Sequence, residues 1–106
     1  MPEDTGFLIQ AIKATHGADA EYETTTPVTE TFNGGVMWEG EVQTFRLLNH
    51  PKAQVAYAWS YAEGGQRHAT AVLGGGKIDS PRMAVRAAIA AKRRRLPRTY
   101  LSVFTA

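Results

Sequence analysis

The chain has 106 residues, 43% of them hydrophobic, and a formal net charge of +2. That length gives one core and one domain, and the composition excludes disordered, collagenous and membrane-embedded classes. Cysteine is absent, which excludes disulfide scaffolds, thiolate metal sites and thiol nucleophiles.

The acidic start, Met1-Pro2-Glu3-Asp4, leads into no long apolar run, so neither a signal peptide nor a membrane span is expected. A cytoplasmic protein of bacterial type is the default expectation. Charge is unevenly spread along the chain. Residues 1–66 carry three Lys/Arg against nine Asp/Glu, a balance of −6; residues 67–106 carry nine against Asp79 alone, a balance of +8. Such a split points to an anionic partner for the C-terminal part, or to association between opposite faces of two copies.

Residues 5–16 predict a first helix. Phe7, Leu8, Ala11, Ile12 and Thr15 recur at three- and four-residue spacing, and Gly17 supplies a left-handed stop. Residues 20–32 are rich in threonine and contain Pro27, which cannot donate to a ladder; they predict an edge strand, or one bent at the proline. Asn33-Gly34-Gly35 signals a hairpin turn. In the strand expected at 36–48, Val36, Trp38 and Val42 share one phase while Phe45 and Leu47 take the other. A β-bulge near Gln43 or Thr44 would reconcile the phases, with Gly40 as the other candidate for an irregularity.

Asn49-His50-Pro51-Lys52 turns the chain into residues 53–62, the expected central strand. There Val55, Tyr57, Trp59 and Tyr61 alternate with Gln54, Ala56, Ala58, Ser60 and Ala62, so bulky groups share one face and small ones the other. Glu63-Gly64-Gly65-Gln66 turns into a strand at 67–73. Gly74-Gly75-Gly76 then breaks the sheet, and Ser80-Pro81 opens an alanine-rich second helix over 81–94. That helix ends before Pro97.

Short connections favour an antiparallel meander. The expected fold class is α+β: a meander sheet of three to four strands with the N-terminal and C-terminal helices packed on one face. Residues 1–96 form the single α+β domain, and 97–106 are a C-terminal tail or an added edge strand. Alanine-rich helices need large partners to reach normal packing density, so Tyr57, Trp59 and Tyr61 are expected to face both helices. The alternative for that aromatic row is a base-stacking surface.

Three segments together resemble a small uncharacterised bacterial domain family: Trp38-Glu39-Gly40 with Phe45-Arg46-Leu47, His50-Pro51-Lys52-Ala53 leading to Ala56-Tyr57-Ala58-Trp59, and Asp79-Ser80-Pro81 with Ala84-Val85-Arg86-Ala87-Ala88-Ile89. The resemblance spans about residues 36–90 and implies no activity. A looser, architectural similarity is to the double-stranded-RNA-binding fold, helix, three strands, helix. Lys77 and Arg82 are the cations nearest the start of the second helix, and the clustered lysines of that family are absent.

The leading functional signal is the basic C-terminal helix. Lys77, Arg82, Arg86, Arg93, Arg94, Arg95 and Arg98 are the candidate nucleic-acid-binding residues, through counterion release from phosphates; the plainer reading is a solvated helix end. Gly74-Gly75-Gly76-Lys77 could form a backbone nest for an anion, or serve as a flexible connector. It is not a P-loop, because Ala71 and Ile78 stand where that motif needs glycine and Ser/Thr. His16, His50 and His68 lack metal-ligand spacing and read as surface or turn residues. Glu39 and Glu41 share a strand face and could pair as acid and base, or simply sit in solvent. No catalytic constellation is visible, so the expectation is a binding module and not an enzyme, with no cofactor and no metal. The other expectation is a protein-interaction module, a homodimer formed by edge-strand pairing through 20–32 or 99–105.

Overall fold

A computed structural model of the chain describes residues 4–94 and 101–105. In chain order the elements are α1 (Thr5–His16), β1 (Ala20–Phe32), β2 (Gly35–Leu47), β3 (Val55–Glu63), β4 (Gln66–Leu73), α2 (Pro81–Arg94) and β5 (Leu101–Thr105). The five strands form one sheet in the order β1-β2-β3-β4-β5. All four pairings are antiparallel, so the α+β meander is as expected, and the C-terminal segment joins it as an edge strand on β4. No helix among the described residues is long and apolar enough to cross a membrane.

Local chemistry fixes the element ends. Asn33 and Gly34 adopt φ of 53° and 79°, the doubly left-handed conformation whose twist matches a hairpin, and Gly64-Gly65 repeats it between β3 and β4. α1 stops at Gly17, at φ 69°, whose amide bonds the Lys13 carbonyl at 3.0 Å. α2 starts at Ser80, whose Oγ accepts the Met83 amide at 3.3 Å.

The two helices lie on opposite faces of the sheet, not on one. Leu8, Ala11 and Ile12 of α1 pack with Phe45, Leu47, Ala56, Ala58, Ala69 and Ala71. Ala84, Val85 and Ala91 of α2 pack with Val28, Val42, Tyr57, Trp59 and Val72. Because successive strand residues point to opposite faces, these are separate cores. The single-face expectation assumed that both helices needed the aromatic row. In fact α1 brings its own bulk, Leu8 and Ile12, and the alanine face of β3 and β4 gives it room. Trp59 is 5% exposed and meets Trp38 edge-on at 5.4 Å, so the aromatic row belongs to the core under α2.

Covering both faces also removes the need for a bulge at Gln43 or Thr44. The two phases of β2 serve two cores: Val42 faces α2, while Phe45 and Leu47 face α1. One register shift does fall at Thr44, but its extra residue is on the partner strand, and a second lies towards the turn. One extra residue, Glu23, sits in β1 between Tyr22↔Phe45 and Thr24↔Thr44, and one, Met37, sits in β2 between Glu30↔Trp38 and Thr31↔Val36. The first turns β1 over, so that Tyr22 packs towards α1 and Val28 towards α2. Gly40 stays in register opposite Val28. Its missing side chain makes room for Trp38, whose indole would lie 3.0 Å from a Cβ there.

Ala58 is fully buried beneath α1. Ala58→Leu should therefore overpack that side and destabilise the fold by about 1–3 kcal/mol. Ala62→Leu, on an exposed residue of the same strand, should be close to neutral. Urea denaturation of both variants measures this; equal stabilities would place α1 elsewhere.

Candidate functional site

In an antiparallel meander, every second connection falls at the same end of the sheet. Here the α1–β1, β2–β3 and β4–α2 connections do so, and a cleft of about 890 Å³ opens between them. Thr15 and His16 at the end of α1 border it from one face, and Met83, Arg86 and Ala87 in the first turns of α2 from the other. The end of β4 and the turn around His50 supply the rest.

Apart from Thr15, the polar side chains of the lining are basic or protonatable. His16, His50, Lys52, Lys77 and Arg86 border the cleft, and no carboxylate does so among the described residues. His50 is held by its turn: Nδ1 accepts the backbone amides of Lys52 and Ala53 at 3.1 and 2.9 Å. The proton therefore sits on Nε2 in neutral His50, and that edge is a donor. His16 donates from Nε2 to the Ala71 carbonyl at 3.3 Å, which ties the last turn of α1 to β4. Burial, opposed by that carbonyl and reinforced by nearby His50, lowers the His16 pKa.

Two amides of the glycine segment, those of Gly74 and Gly75, are committed within the protein and not available to an anion. Gly74 donates its amide to Val55 O at 2.8 Å, while Gly75 and Ile78 exchange amide bonds at 2.9 and 3.0 Å. Gly74 is required for another reason. A Cβ there would stand 3.2 Å from both the Tyr57 ring and the Val55 carbonyl.

The predicted basic helix divides into parts with different roles. Lys77 borders the cleft and is exposed. Arg86 borders it too, but its Nε also donates to Glu30 Oε1 at 2.8 Å. Arg82 donates to the Thr29 carbonyl at 3.0 Å and approaches the same carboxylate at 3.4 Å. The Glu30 side chain is 8% exposed, so this pair of arginines is the counter-charge of a buried acid and clamps α2 to β1. Both arginine side chains nonetheless remain about half exposed. Arg93 and Arg94 fall in the last turn of α2, with side chains outside the described residues; Arg95 and Arg98 lie outside them entirely.

Other candidates resolve into structure. Glu39 and Glu41 are exposed, and Glu39 accepts from Thr29 Oγ1 at 3.3 Å. His68 stacks on Tyr61, ring centroids 5.2 Å apart. A polar chain docks the start of α1: Thr5 Oγ1 donates to Gln43 Oε1 at 2.8 Å, Gln43 Nε2 donates to Asp4 at 2.6 Å, and Ser60 donates to the same carboxylate. No group of three or more metal-ligating side chains occurs among the described residues. His16, His50 and Lys52 border the cleft although no charge pattern or spacing in the sequence marks them.

Comparison with protein-family models, with curated proteins and with solved structures gives no match to this chain.

The lowered His16 pKa fixes the sign of a pH effect. The unfolded chain takes up its proton near the ordinary value of about 6.5 while the fold resists it, so stability falls as pH drops below that value. Urea midpoints at about pH 7.5 and about pH 5.5 should differ less in His16→Gln than in the parent. An unchanged difference would remove His16 as a contributor.

Proposed function

We propose that this domain is a non-catalytic binding module whose partner is anionic and seats in the basic cleft. One observation carries the reading: five cationic or protonatable side chains, from α1, the β2–β3 turn, the β4–α2 turn and α2, border one cleft that no carboxylate lines among the described residues. Of these, Arg86 is also paired with an acid, Glu30. Lys52 and Lys77 have no ion pair among the described residues. A like-signed cluster of this kind raises the local concentration of anions and gains counter-charge when one binds. The charge of +8 carried by residues 67–106 adds attraction at longer range. Nucleic acid is the polyanionic version of this partner, with Lys77 at the cleft as a phosphate contact and the Lys92–Arg95 run and Arg98 as further candidate contacts from the sequence.

Calorimetric titration with inorganic phosphate and with a short single-stranded oligonucleotide, each at low and high salt, tests the reading. Binding at low salt should weaken as salt rises, and Lys52→Gln with Lys77→Gln should weaken it by about tenfold or more. Salt-independent affinity, or no binding of any anion, overturns it.

A homodimer is the second reading, favoured by β1, a thirteen-residue strand that pairs on one side only. Light scattering at high protein concentration should then report twice the chain mass. A monomer there rules it out.

A further inference from the structure

We infer that the cleft takes a small organic anion with one charged head and an apolar body. This rests on the anionic-partner reading and narrows it to a ligand class. The lining is of two kinds. Beside the basic groups stand Pro51, Ala53, Leu73, Ile78, Met83 and Ala87. A site for a bare inorganic anion is made of donors on every side, often backbone amides. Here the amides of Gly74, Gly75 and Ile78 are already used within the protein, and much of the wall is hydrocarbon.

The volume agrees with the lining. About 890 Å³ lies inside the range of roughly 300–1,000 Å³ common for small-molecule sites, and far exceeds one phosphate group. Met83, an unbranched thioether, adapts to the shape of what packs on it. Ile78, Met83 and Ala87 are only partly buried, so a hydrocarbon body laid on them removes apolar surface from water on both sides.

Nucleobases fit less well. Base recognition in single strands relies on aromatic platforms, and among the described residues no Phe, Tyr or Trp borders the cleft; its two imidazole rings, His16 and His50, are each held by hydrogen bonds to the backbone. Tyr57, the nearest ring to Gly74, is turned into the core under α2 and is 6% exposed. The head finds its charges on flexible stems, Lys52 from the β2–β3 turn, Lys77 from the β4–α2 connection and Arg86 from α2, with the donor edge of His50 in the same lining.

Calorimetry on the full chain with acetate, octanoate, inorganic phosphate, octyl phosphate, octan-1-ol and a single-stranded oligonucleotide tests this. Octanoate should bind at least about tenfold more tightly than acetate, or octyl phosphate than inorganic phosphate, through the added buried methylenes. Whichever pair shows the gain identifies a carboxylate or a phosphate head. Backbone amide NMR should locate the alkyl-dependent shifts at Leu73, Ile78 and Met83. Ala87→Glu, which puts an acid in the wall, should weaken the alkyl anion by about tenfold while its amide spectrum remains that of a folded protein; equal affinity in that folded variant counts against the site. Equal affinity for inorganic phosphate and octyl phosphate, with acetate and octanoate likewise equal, overturns the inference and leaves the anionic reading intact. Binding of the oligonucleotide alone does the same. Octan-1-ol binding as tightly as octanoate, or no binding by any probe, overturns both.

Discussion

The structure depends on a size complementarity set by one strand. β3 places tyrosine and tryptophan on one face and alanine on the other, and each helix has the opposite character to the face it covers. α2 is alanine-rich and lies on Tyr57 and Trp59; α1 carries Leu8 and Ile12 and lies on Ala56 and Ala58. Interiors tolerate neither voids nor overlap, so total side-chain volume between layers is nearly fixed. Large-on-large on one face with small-on-small on the other would overfill the first and leave holes in the second. This matching selects a three-layer arrangement, helix, sheet, helix, from a chain of only 106 residues.

Electrostatics reinforces one of those layers. Glu30 points inward from β1 because the bulge at Glu23 has turned the strand over, and a buried carboxylate is costly unless cations meet it. Arg82 and Arg86, one helical turn apart, meet it from α2. The same guanidinium of Arg86 borders the cleft. A ligand there would therefore share a group with the contact that seats α2 on the sheet.

Much of this architecture is legible in the sequence. The periodicity of 5–16, the Asn33-Gly34 turn and the Ser80-Pro81 cap each mark their element to within a residue or two, because each rests on local backbone chemistry. What stays hidden is which face each helix takes. Phe45 and Leu47, out of phase with Val42, look like a register fault when one face is assumed to be wet, and become regular once both are covered. The cleft is hidden for a related reason. His16, His50 and Lys77 are 34 and 27 residues apart in sequence, with no spacing to connect them. Meander topology alone brings their three turns to one end. Arg82 and Arg86 carry a role that the stripe does not reveal: about half exposed, they also meet a buried acid that lies more than 50 residues away in sequence.

The paired bulges of the first hairpin have an evolutionary corollary. Glu23 adds a residue to β1 and Met37 adds one to β2, so the offset opened at one is closed at the other and the hairpin reaches its turn in step. Each extra residue is the unpaired one, so losing Glu23 leaves Tyr22↔Phe45 and Thr24↔Thr44 as neighbouring pairs, and losing Met37 does the same for Glu30↔Trp38 and Thr31↔Val36. Loss of a paired residue between Thr24 and Val28 instead shifts the rest of the strand by one place, turning Val28 and Glu30 away from α2 and stranding Arg82 and Arg86. Homologous chains should therefore vary in length at the two bulges and hold it constant between them.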